Sequence, residues 1–177
     1  MMMLIRISPE MIRDPKYECA TVQAVRREVF GTRKFKDKYP WRTDFKAHLK
    51  AVSPSKLDPL VLDVVKQVSE EHINASEDNA PFRLSPEDKE VAAFAASNGW
   101  EVGTGDKGLQ DFLDQEFDIK SHSALEVLNI WLKKKVIAWT QEMDKVLREW
   151  AEQREKPQPQ DAKKLFAKLT GKKYPGP

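Results

Sequence analysis

Apolar residues recur along this chain in two rhythms, every third or fourth position in some stretches and every second position in others. Val22, Val25 and Val29 keep helical spacing between Thr21 as N-cap and Gly31 as stop. Leu57, Leu60, Val61, Val64, Val65 and Val68 follow the i, i+3, i+4, i+7 rule and predict an amphipathic helix after Pro54-Ser55. Ser85-Pro86-Glu87-Asp88 opens another helix, with Ser at N-cap, Pro at the first position and an acid at the third, and Gly99 closes it. Leu125, Leu128, Leu132, Val136, Trp139, Met143, Val146 and Trp150 then step by three or four residues, which predicts one long helix capped by Ser123. At 1.5 Å per residue such a helix spans about 40 Å. Lys156-Pro157-Gln158-Pro159 reads as a stiff linker, and Asp161 to Leu169 as a last small helix closed by Gly171.

The second rhythm marks strands at residues 3–8 (MLIRIS), at Trp100 to Thr104 and near Asp118 to His122, with Tyr17 to Thr21 also β-compatible. Tyr39-Pro40 interrupts the pattern, the segment to Ala51 reads as an irregular helix, and His72 to Arg83 as a surface loop. Strands alternating with helices predict an α/β domain with a parallel sheet over residues 1–130. Residues 131–177 then form a helical extension packed on that domain or on a partner subunit. In such sheets ligands sit at the C-terminal strand ends, which draws attention to the turn Thr104-Gly105-Asp106.

Composition narrows the class. With 177 residues, 33% of them charged and 40% hydrophobic, the chain suits one highly charged globular domain. No apolar run approaches the roughly 18 residues of a membrane span, and MMMLIRI is too short for a signal sequence, so a cytoplasmic setting is expected. One cysteine, Cys19, excludes an internal disulfide and suits a small core position. His48, His72 and His122 stand singly, without ligand-like partners at helical spacing, and read as structural or exposed.

The net charge of +2 alone does not imply nucleic-acid binding, but its distribution is uneven. Glu70 to Asp88 is acidic, the tail KKLFAKLTGKKY is basic, and Arg33 to Lys50 is basic with interleaved aromatics. Arg33, Lys34, Lys36, Lys38, Arg42 and Lys46 beside Phe35, Tyr39, Trp41 and Phe45 suit a phosphate backbone and stacked bases. They suit equally a solvated loop whose aromatics anchor it to a core.

Two acids, Asp88 and Asp106, lie eighteen residues apart around the helix, the Gly stop and the short strand. Each has an ordinary explanation, Asp88 as an acid favoured by the helix dipole and Asp106 as an N-cap. Glu28 reads on its own as a solvated helix residue or as one pointing toward the sheet top. The joint pattern of Asp88, the Ala-rich stretch Val91 to Ala96, Gly99 and Thr104-Gly105-Asp106 resembles the PIN domain, a family of metal-dependent nucleases that includes toxin ribonucleases of toxin–antitoxin systems.

That resemblance implies a three-layer α/β/α fold with a central parallel sheet. It also implies Glu28, Asp88 and Asp106, with Asp111 as an additional ligand, holding Mg²⁺ or Mn²⁺. Metal-bound water would then attack a phosphodiester of RNA. At the first strand Ser8 stands where the family has a metal-binding Asp, so Glu10 or Asp14 would have to reach in, or the site would be inactive. Two readings follow: a toxin-type endoribonuclease with an antitoxin partner, or an inactive PIN-like module that binds RNA or a protein. A homodimer is expected from the family's habit of pairing and from the stripe Trp139, Met143, Val146 and Trp150.

Overall fold

A computed structural model describes residues 1–74, 82–153 and 155–177, with backbone alone for residues 34 and 72–74. It is mostly helical. The α-helices are α1 (Met2–Ile7), α2 (Gln23–Gly31), α3 (Arg33–Lys38), α4 (Pro59–Asn74), α5 (Pro86–Asn98), α6 (Lys107–Phe117), α7 (Ala124–Lys133), α8 (Gln141–Glu152) and α9 (Gln160–Thr170). Short 3₁₀ turns cover Pro9–Ile12, Pro15–Tyr17, Pro40–Phe45 and Pro54–Lys56. The strands among the described residues are two-residue segments, β1 (Val102–Gly103) and β2 (Ser121–His122), which pair in parallel. The expected three-layer α/β/α fold with a central parallel sheet is therefore overturned.

The chain divides into two compact units. One comprises Met1–Cys19, Arg33–Lys50 and His122–Pro177, the other Ala20–Thr32 and Ala51–Ser121. The units interleave along the sequence, and residues 130 and 131 both lie within α7.

In the second unit α5 is the hub, touching α2, α4, α6 and β1. Its start is the capping box that the sequence indicates. Ser85 Oγ accepts from the Asp88 N–H at 3.1 Å, and Asp88 Oδ2 accepts from the Ser85 N–H at 3.3 Å. Gly99 ends the helix in the left-handed region (φ +63°), a conformation that costs other residues a Cβ clash. Ala92, Ala93 and Ala95 are buried and let neighbouring helices approach closely. Val65, Phe82, Leu109, Phe112 and Leu113 complete the core, with Phe82 and Phe112 edge to face at 5.3 Å.

In the first unit the segment expected as the first strand is α1, which buries Met2, Met3, Leu4 and Ile5. A helix accounts for these four consecutive buried residues better than alternation does, because α1 packs against both α7 and α8. The long helix is also corrected: it stops at Lys133, turns through Lys135 (φ +55°), and restarts at α8 with Thr140 Oγ1 accepting from Met143 N–H. Trp139 lies in that break, edge to face with Phe166 at 4.9 Å. Phe166 is fully buried and meets Tyr174 on another side at 5.3 Å, so one ring holds α9, the α7–α8 turn and the tail together. Of the stripe Trp139, Met143, Val146 and Trp150, Met143 and Val146 are buried on α8, which packs on α1, while Trp139 and Trp150 are half-buried.

Phe166→Ala and Phe112→Ala should each lower stability by about 3–5 kcal/mol in urea unfolding followed by circular dichroism. Ser85→Ala, which removes only the cap, should cost about 1 kcal/mol.

Candidate nucleic-acid interface

The segment Arg33–Lys50 belongs to the first unit and is held by its aromatics. Phe35, Tyr39, Trp41, Phe45 and His48 form a ladder of ring contacts with centroids 6.0, 5.7, 5.6 and 6.2 Å apart in succession. Of these aromatic rings Phe35, Trp41 and Phe45 are half-buried. Tyr39 is buried and donates its hydroxyl to Glu155; burial, then this hydrogen bond, pushes the phenol well above its ordinary pKa. The Arg6 guanidinium lies 4.9 Å over the Trp41 ring and pairs with Glu149 at 2.5 Å. A cleft of about 300 Å³ opens beside these groups, lined in part by Met3, Arg6, Tyr39, Trp41, Val146 and Trp150.

The six expected phosphate-binding cations separate into groups. Arg33, Lys36 and Lys46 are exposed. Lys38 pairs with Glu155, and Arg42 is buried, donating to the Tyr39 carbonyl at 3.3 Å, so both serve the fold. The Lys34 side chain, like that of His72 and most of the expected loop from His72 to Arg83, lies outside the described residues. Sequence reasoning passed over Lys133 and Lys135, exposed where α7 ends, because the long-helix reading absorbed the Lys133-Lys134-Lys135 run.

Asp88, Asp106, Asp111, Glu10 and Asp14 each engage a partner through the carboxylate. Asp88 closes the α5 capping box, and Asp106 caps α6 by accepting from Leu109 N–H at 3.1 Å. Asp111 pairs with Lys107, and Glu28 lies on α2, where its backbone carbonyl accepts from the Thr32 hydroxyl. Glu10 stands 2.7 Å from His48 Nδ1, and Asp14 pairs with Lys16 at 2.9 Å, whose hydrogen bond holds the Asp14 carboxyl below its usual range. Ser8 is buried at the C-terminal end of α1, not at a strand end. Among the described residues no three His, Cys, Asp or Glu side chains are grouped so as to hold a metal ion. The donor set therefore does not fit the Mg²⁺ or Mn²⁺ implied by the PIN resemblance.

No family model, curated protein or solved structure matches the chain. Among the described residues no helix is long and apolar enough to cross a membrane.

Charge separates the two units sharply. The unit of Met1–Cys19, Arg33–Lys50 and His122–Pro177 contains 22 Lys and Arg against 12 Asp and Glu, a net of +10. The unit of Ala20–Thr32 and Ala51–Ser121 contains 8 against 16, a net of −8, and the two account for the chain's +2.

Asp106→Ala should lower stability by about 1 kcal/mol through the lost cap. Saturating Mn²⁺ should leave the unfolding midpoint of the wild-type protein in place, since a ligand raises it only by binding the folded state. A Mn²⁺-dependent rise abolished by Asp106→Ala would reinstate a metal site there.

Proposed function

We propose that the protein is an RNA-binding module whose basic unit engages the phosphate backbone. The observation that carries this is the net +10 of that unit, which the chain's overall charge conceals. Lys and Arg at an anionic strand release its condensed counterions, and that gain does not depend on base sequence. A single strand fits better than a duplex. The exposed cations are spread over Arg13 and Lys16, the six-residue α3, the loop beyond it, the α7–α8 turn, α8, α9 and the tail, not gathered on one recognition helix that would fill a major groove. The Arg33–Lys50 rings meet one another in tilted and edge-to-face contacts within a half-buried ladder, so the proposed binding rests on electrostatics and not on base stacking. RNA as ligand agrees with a cytoplasmic setting. Among the described residues no feature supports a toxin's cleavage chemistry or an antitoxin partner, and neither enters this reading.

Fluorescence anisotropy with a labelled single-stranded RNA tests it. Affinity should fall with salt at a log–log slope of about −0.7 for each phosphate contacted. The double variant Lys36→Glu/Lys46→Glu should weaken binding by roughly tenfold or more and flatten that slope. RNA recovered after incubation with Mn²⁺ should be intact. No binding at low salt, or affinity indifferent to both salt and the substitutions, would contradict the reading.

A further inference from the structure

The large apolar side chains exposed among the described residues fall into two pairs. Leu60 (75% exposed) and Val64 (48%) stand on α4, Leu165 (40%) and Leu169 (36%) on α9. Each pair has i, i+4 spacing and forms a one-turn stripe on a single helix face. Singly scattered apolar residues on a surface need no explanation, whereas paired stripes on two helices do. The stripes differ in their surroundings. α4 belongs to the acidic unit, and exposed Asp63, Glu70 and Glu71 accompany its stripe; α9 belongs to the basic unit, with exposed Lys164 and Lys168 alongside and Lys172 and Lys173 beyond its end.

We propose that α4 of one copy docks on α9 of a second copy, the two apolar pairs meeting while the acidic flank faces the basic one. The partner is a second copy because the chain carries both halves of a complementary pair. Two acidic units or two basic units would repel, so the charge pattern selects α4 on α9 over either helix against itself. Among the described residues the flanks' existing ties include exposed pairs within one helix, Asp63 with Lys66, Lys164 with Asp161 and Glu71 accepting from the Gln67 amide at 2.9 Å, and a longer contact of Glu70 with Lys89 at 3.7 Å. Such pairs contribute little and can exchange partners on docking. Two short stripes make a small interface, at the weak, reversible end of protein association, with Kd on the order of 10 µM. The pairing needs no RNA, although the basic flank of α9 lies in the unit proposed to bind it.

Sedimentation velocity of the full chain, without RNA and at low salt, tests the pairing over about 1 to 100 µM. The average sedimentation coefficient should rise with concentration, and high salt should weaken association as screening removes the charge attraction. Leu60→Asp and Leu165→Asp should each weaken it tenfold or more, with folding confirmed by circular dichroism. Glu71→Lys should weaken it, and adding Lys168→Glu should recover it. A wild-type protein monomeric throughout that range, aspartate variants that associate as the wild type does, or a double charge swap no tighter than Glu71→Lys alone would each overturn the proposal.

Discussion

Like charges packed into one compact unit repel, and the basic unit of this protein exists under that constraint. Its acids are placed against individual cations: Glu149 on Arg6, Glu155 on Lys38, Glu18 on Lys134, Asp144 on Arg148. Exposed pairs of this kind contribute little to stability one at a time, but they remove the closest repulsions. The apolar seams of α1 with α7 and α8, and of α7 with α9, supply the stabilisation that outweighs the remainder. What remains is a surplus of exposed Lys and Arg on helices, turns and tail, the feature on which the proposed RNA binding rests.

Within that unit repulsion is dense along Arg33–Lys50, with seven Lys and Arg against two Asp. Arg33–Lys50 would be a repelling loop on composition alone. Its ring ladder from Phe35 to His48, the buried Tyr39 with its bond to Glu155, and buried Arg42 bonded to the Tyr39 carbonyl tie it down. Arg33, Lys36 and Lys46 are thereby displayed from a fixed backbone, and a preformed surface loses less conformational entropy on binding than a mobile one.

Local signals were legible in the sequence where local chemistry decides. The capping boxes at Ser85 and Ser123, the Asp106 cap, and the stops at Gly99 and Gly171 stand where the residue types place them. Tertiary contacts decided the rest. MLIRIS has too few residues for its period to distinguish a strand from a helix buried on several sides, and its packing partners α7 and α8 lie more than a hundred residues away. The heptad-like run from Leu125 to Trp150 kept its rhythm across a real break, where Trp139 meets Phe166 edge to face and Thr140 caps the restarted helix. The Asp88 and Asp106 spacing that resembled a nuclease motif follows from capping alone, one acid closing the α5 box and the other opening α6. Of the phosphate-binding candidates, residue type was readable but role was not: nothing in the sequence marks Lys38 and Arg42 as structural and Lys36 and Lys46 as displayed. The partition of charge was hidden as well, since the two units interleave along the chain.

The central claim is that one of two oppositely charged units receives RNA. Photocrosslinking a single-stranded RNA to the full chain, with the attached peptides located by mass spectrometry, tests it most directly. RNA held by the basic unit should leave adducts within Arg33–Lys50 and His122–Pro177, lost in parallel as salt rises. Adducts concentrated within Ala51–Ser121, the acidic unit, would contradict it.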